Sequence, residues 1–211
     1  MLKINEIYFS IQGESTHVGR PCIFVRLTEC NLRCSYCDTE YAFYEGDNNS
    51  LESIIEKIKS FPCNLVEITG GEPLLQDEVN ILMQQLLDHG YEVLLETSGS
   101  ISIKSVPKAV KKIVDFKCPS SGMMKANDYT IIQDLQPWDE IKFVMGNRDD
   151  FEWSVELIKK NNLTRWTVLF SPVWGQIEPK TLVDWINEVG LNVRFQLQMH
   201  KVIWKEVERG V

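Results

Sequence analysis

Apolar runs of strand composition alternate with amphipathic helical stretches along most of this chain, and that alternation limits the folds open to it. Segments 22–27, 65–68, 91–95, 112–116, 140–144, 166–170 and 192–197 are strand-like. Between them, Ser50 reads as the N-cap of a helix over 51–60. Segment 78–89 places Val79, Leu82, Met83, Leu86 and Leu87 at helical spacing, and 150–160 and 179–188 follow the same pattern. Strands separated by helices of about ten residues predict parallel βαβ units. Seven strands with fewer good helices predict a partial, open parallel β/α barrel of six to seven strands rather than a full eightfold one. At 211 residues, the expected organisation is one domain spanning 1–211.

Glycine and polar signals fall directly after these strands. The first strand leads into a cysteine loop, the second into Gly70-Gly71-Glu72-Pro73, and the third into Thr97-Ser98-Gly99. The fourth leads into 117–122 and the sixth into 171–174. In parallel α/β folds the functional loops lie at the carboxyl ends of the strands, so these distant segments are expected to share one mouth. Segments 44–50 and 119–122 read as surface loops. The chain shows no internal repeat and no low-complexity tract.

The net charge of −8 argues against a nucleic-acid backbone as the main partner. No apolar run reaches membrane-spanning length, and the opening residues have no signal-peptide apolar region. Six cysteines, three of them in one loop, suit a reducing cytoplasm. The scattered Cys22, Cys63 and Cys118 read as small buried hydrophobes.

The loop Cys30-Asn-Leu-Arg-Cys34-Ser-Tyr-Cys37 carries the strongest chemical signal, at 30–37. A [4Fe–4S] cluster takes four ligands, so three thiolates leave one iron open, as a catalyst requires. A zinc site completed by His200 or His17 is the rival reading. Paired C-x2-C halves, usual in zinc knuckles, are missing, which favours iron–sulfur. In Gly70-Gly71-Glu72-Pro73 the glycines allow close backbone approach to a ligand, and Glu72 offers an acceptor. Taken alone, that segment reads equally well as a tight turn. Arg26, inside an apolar strand, is expected to face a polar cavity or a carboxylate, with a salt bridge to Glu14 or Glu29 as the structural alternative.

The C-x3-C-x2-C loop and the Gly-Gly-Glu-Pro segment, in this order, resemble the radical S-adenosylmethionine enzymes. Further matches narrow the likeness to the 7-carboxy-7-deazaguanine synthase family. They are Ile7-Tyr-Phe-Ser-Ile-Gln-Gly-Glu14, Asp38-Thr39, Glu96-Thr97-Ser98-Gly99, Pro119-Ser-Ser, Gln196-Leu-Gln-Met-His-Lys201 and Arg209-Gly-Val211. The chain departs from that family at Ser15, where glycine is usual, and at Asp115-Phe116 before Lys117.

The resemblance implies a lyase dependent on a [4Fe–4S] cluster, S-adenosyl-L-methionine and Mg²⁺. Such an enzyme converts 6-carboxy-5,6,7,8-tetrahydropterin into 7-carboxy-7-deazaguanine with loss of ammonia, toward queuosine-type 7-deazapurines. A 5′-deoxyadenosyl radical would take hydrogen from the carbon bearing the carboxylate, and the product radical would take it back. The resemblance further implies a homodimer and an electron donor such as a flavodoxin or ferredoxin. By the same likeness Cys30, Cys34 and Cys37 hold the cluster and Thr39 ligates Mg²⁺. Tyr36, Asp38, Gly71, Glu72, Gly99, Asp115, Lys117, Ser171 and Trp174 would form the cofactor site. Ile11, Gln12, Gly13, Arg26, Thr97 and the carboxylate of Val211 would contact substrate. His200 and Lys201 read more simply as a satisfied polar pair. A glycyl-radical enzyme activating protein, which shares the cysteine spacing but acts on a protein partner, is the alternative.

Overall fold

The computed structural model describes residues 1–205, 207 and 209–211. Its strands are β1 (Leu2–Ile11), β2 (Pro21–Leu27), β3 (Asp47–Asn49), β4 (Leu65–Gly70), β5 (Glu92–Thr97), β6 (Lys111–Asp115), β7 (Glu140–Met145), β8 (Thr167–Pro172) and β9 (Arg194–Phe195). The helices are α1 (Leu51–Lys59), α2 (Val79–Asp88), α3 (Arg148–Asn161), α4 (Pro179–Val189) and the short α5 (Met199–Ile203). The strands form one sheet in the order β3-β1-β2-β4-β5-β6-β7-β8-β9. From β2 to β9 every neighbouring pair is parallel. This is the open, mostly parallel β/α sheet that the alternation predicted.

Helix α1 starts where Ser50 accepts a hydrogen bond from the Ser53 amide at 3.2 Å, and Lys57 and Lys59 lie in its last turn, where cations favour the helix dipole. The α3 cap is Asn147, which accepts from the Asp150 amide at 3.0 Å.

Two strands depart from the sequence reading. β1 runs antiparallel beside β2, and the segment read as a loop at 44–50 contributes β3, which pairs antiparallel with Leu2–Ile4. Asp47, Asn48 and Asn49 have poor strand propensity, and only pairing with β1 makes them a strand. No α-helix crosses from β5 to β6 or from β6 to β7. The latter connection is built from 3-10 turns at Pro119–Ser121, Met124–Ala126 and Tyr129–Asp134.

The period of two along each strand sorts residues between two environments. Outward positions such as Val25, Ile68, Leu95 and Phe143 pack with the helices into the main core. Inward positions change character along the strand. Cys22, Phe24, Leu65, Leu94 and Ile113 form a small apolar plug. Two residues further along come Arg26, Glu67, Glu96 and Asp115, joined by Lys142 of β7. On β2, β4, β5 and β6 the inward face therefore turns from apolar to charged toward the carboxyl end.

Candidate active site

A cavity of about 660 Å³ opens at those carboxyl ends. Its walls come from the cysteine loop, from the segments after β4, β5 and β8, and from the C-terminal segment. Cys30, Cys34 and Cys37 all line it, half-buried and free. The loop is fixed on two sides. Ser35 donates its amide to the Ser121 carbonyl at 3.0 Å, and Glu72 donates its amide to the Glu29 carbonyl at 2.8 Å. Gly71 packs so closely that a Cβ there would overlap the Glu29 carbonyl and lie 2.8 Å from Cys30 Cβ. The Gly-Gly pair is thus required for the second strand's loop to rest on the first.

Burial pushes all three thiols up, Cys34 to about 11. Among the described residues, no three His, Cys, Asp or Glu side chains converge on one ion. Three thiols lining one cavity are what a cluster with one open iron would require of the chain. His17 is no ligand here: it is buried against Glu92 at 2.8 Å, at the start of β5 and the opposite end of the sheet. His200 lines the cavity.

Glu72 has a different position from the one its motif suggests. It is fully buried and lies behind the cavity wall rather than on it. Its carboxylate accepts from the Leu74 amide (3.1 Å), Thr97 Oγ1 (2.9 Å), the Ser98 amide (2.8 Å) and Ser98 Oγ (2.6 Å). It thereby locks the turn after β5. Gly99 belongs to that turn, with φ of 69° and Val114 only 2.9 Å from where a Cβ would sit. Gly99 and Ser171 also lie off the cavity surface, and the buried Ser171 hydroxyl has no partner.

The other candidates line the cavity: Ile11, Gln12, Gly13, Arg26, Tyr36, Asp38, Thr39, Gly71, Thr97, Asp115, Lys117, Trp174 and Val211. Tyr36 donates its hydroxyl to the Val144 carbonyl at 2.9 Å. Thr39 donates to Asp38 at 3.0 Å. Arg26 pairs with neither Glu14 nor Glu29. Its Nε donates to Glu6 at 2.8 Å and its Nη2 to the Tyr8 hydroxyl at 3.0 Å. Glu6 lies beside Arg26 in the antiparallel register of β1, a strand the sequence reading did not anticipate. His200 and Lys201 do not pair with each other either. Lys201 reaches Asp38 at 2.5 Å, and the His200 ring packs on Gly13. Lys201 beside it holds the Asp38 carboxyl well below the usual range.

Several residues in the charged layer were not anticipated as site residues. Lys142 reaches Glu14 at 2.8 Å, contacts Glu96, and lies 3.8 Å from Asp115. Burial opposes its charge, yet Glu14 and the other carboxylates push its pKa well above the usual value. Burial raises Glu96. Glu67 is raised further, by burial and by the neighbouring Glu96 and Glu14. The signal was present in the sequence. Lys142, Glu67 and Glu96 each interrupt an apolar strand, as Arg26 does.

A sequence model of the radical SAM superfamily matches residues 25–187. A 7-carboxy-7-deazaguanine synthase from Koribacter versatilis is 44% identical over 226 residues, covering 100% of both chains. The chain belongs to this radical SAM family. Another 7-carboxy-7-deazaguanine synthase, from Chlorobaculum tepidum, is 41% identical over 100% of this chain and 97% of its own. The crystal structure of QueE from Escherichia coli superposes with a TM-score of 0.77 at 24% identity, covering 94% of each chain, and bears on the fold. So does Streptococcus suis SuiB, with a TM-score of 0.55 at 16% identity over 81% of this chain and 48% of its own. Radical SAM membership carries the [4Fe–4S] cluster and S-adenosylmethionine with it. Full-length likeness to the synthases sets aside the glycyl-radical activating alternative. Among the described residues, no helix is long and apolar enough to cross a membrane.

Proposed function

We propose that this protein is a 7-carboxy-7-deazaguanine synthase, converting 6-carboxy-5,6,7,8-tetrahydropterin into 7-carboxy-7-deazaguanine with loss of ammonia. The observation that carries the reading is one cavity lined both by three free thiols and by a buried layer of opposite charges. Cys30, Cys34 and Cys37 would hold the cluster. When bound, cluster and S-adenosylmethionine supply the 5′-deoxyadenosyl radical.

The chain's own work is positioning and exclusion of water. Arg26 is clamped through Nε and Nη2, which leaves Nη1 to meet a substrate carboxylate. Thr39, beside Asp38, offers hard oxygen to Mg²⁺, which suits that ion's preference. Ile11, Gln12, Gly13, Thr97 and Val211 border the space left for the ring. Tyr36, Asp38, Gly71, Asp115, Lys117 and Trp174 border the cofactor's share. Glu72 and Gly99 support that wall from behind, and Ser171 lies behind it two residues before Val173. The whole chain would act as one domain, as a cytoplasmic homodimer reduced by a flavodoxin or ferredoxin. That part of the reading is supported by the motif resemblance described above.

The test is an anaerobic assay of the cluster-reconstituted protein with S-adenosylmethionine, dithionite, Mg²⁺ and the carboxytetrahydropterin, read by mass spectrometry. Formation of 7-carboxy-7-deazaguanine is expected. 5′-Deoxyadenosine without that product would leave the radical machinery standing and overturn the substrate.

A further inference from the structure

We propose that Glu67 reads the N–H edge of the reduced pterin and so sets specificity for a 2-amino-pyrimidinone ring; this rests on the functional reading above. Five carboxylates meet the charged layer, and four have a cation. Glu6 has Arg26 at 2.8 Å, Glu14 and Glu96 share Lys142, and Asp115 has Lys117 at 2.8 Å. Among the described residues, Glu67 has no cation within 4.0 Å. It is only 3% exposed, and among the described residues its side chain has one hydrogen bond, from the Gln12 amide to Oε2. Gln12 is itself held in place, because its own oxygen accepts from the Glu14 amide at 2.9 Å. A buried carboxyl group in this state lacks donors. Glu67 lines the cavity, so a ligand can supply them.

The neighbouring wall suggests which ligand. Phe24 lies directly across from Glu67 in the β2–β4 register, and Tyr8 lies across from Phe24 in the β1–β2 register. The two rings stack at 4.9 Å and 12°, and both line the cavity. They form an apolar aromatic wall beside a carboxyl group of which one oxygen, among the described residues, accepts no hydrogen bond. A heterocycle packed against that wall would bring its edge to Glu67. Arg26 stands two residues beyond Phe24, about 6.6 Å along the strand, which is on the scale of a bicyclic ring. The cavity thus has an anion receptor at one level and an N–H receptor one layer deeper. A pterin with a carboxylate at one end and an amino-pyrimidinone at the other matches that order.

The test compares wild type, Glu67→Gln and Glu67→Asp on two substrates: 6-carboxytetrahydropterin and its analogue with hydrogen in place of the 2-amino group. Leaving a buried donor of the substrate without its acceptor is expected to raise KM about 5- to 150-fold. Wild type should lose that factor on the analogue, and each variant should lose it on the parent substrate with kcat little changed. The decisive result is non-additivity: the variants should lose little more when given the analogue. Iron content should match wild type. Glu67→Asp reads the same comparison should Glu67→Gln fail to fold. Penalties that multiply independently, or unchanged KM in both variants, would overturn the assignment. If wild type forms no 7-carboxy-7-deazaguanine from the parent, the functional reading fails instead.

Discussion

Replacing Lys142 with methionine removes the one cation shared by Glu14, Glu96 and Asp115 while keeping an unbranched side chain one atom shorter. At an effective dielectric of about 20, the attraction to Glu14 at 2.8 Å is about 6 kcal/mol. On the same basis the attraction to Asp115 at 3.8 Å is about 4 kcal/mol. Most of that gross attraction is offset by the desolvation of Lys142, which is 4% exposed, and by protonation of the stranded carboxylates. The net cost of removing one partner of a buried network is about 3–5 kcal/mol. For a chain of this size that corresponds to a fall in Tm of about 6–20 °C.

The sign with pH follows from the shifts. Burial raises Glu14, but Lys142 outweighs it and leaves the carboxyl below its ordinary value. Its contribution is therefore present above the unfolded carboxylate pKa of about 4.3 and lost as pH falls through the folded value. In Lys142→Met the carboxylates keep burial and mutual repulsion without the cation, so their folded values rise. The deficit of the variant then opens as pH rises through the lowered folded value of Glu14 and grows toward neutrality as the raised carboxyls of the variant ionise. Urea unfolding of both proteins at about pH 4.5 and about pH 7.5 measures it. A deficit under about 1 kcal/mol at neutral pH, or one that is equal at the two pH values, would refute the reasoning.

Alanine at Cys30, Cys34 or Cys37 should abolish bound iron and product together, since each thiol lines the cavity and Cys22, Cys63 and Cys118 do not. Retained iron with full activity in any of the three would contradict the cluster assignment. Thr39→Ala should raise the Mg²⁺ concentration needed for half-maximal rate while leaving the cluster spectrum intact. An unchanged metal dependence counts against Thr39 as a ligand. Gly99→Ala should cost about 1–3 kcal/mol in chemical denaturation, because φ is 69° and Val114 blocks the Cβ.

The parallel strands and the four long helices were legible because each carries its own periodicity. What the sequence could not disclose depended on pairing between distant segments. Asp47–Asn49 is a strand only because Leu2–Ile4 lies beside it. Arg26 finds Glu6 only because β1 folds back antiparallel, so a reading confined to nearby acids named the wrong partner. Glu72 was identified through its motif, but a motif does not say which way a side chain turns, and this one turns into the wall. Lys142, Glu67 and Glu96 were open to the argument already applied to Arg26, that a charge inside an apolar strand faces a polar cavity. Their convergence, however, is a property of the sheet order.

The central claim is that this cavity holds the pterin's carboxylate-bearing carbon against the 5′ carbon of the cofactor. Substrate carrying deuterium on that carbon, supplied to the reconstituted enzyme, tests it most directly. The account predicts deuterium in the recovered S-adenosylmethionine or 5′-deoxyadenosine, read by mass spectrometry, as product accumulates. Product formed with no label in either molecule would contradict it.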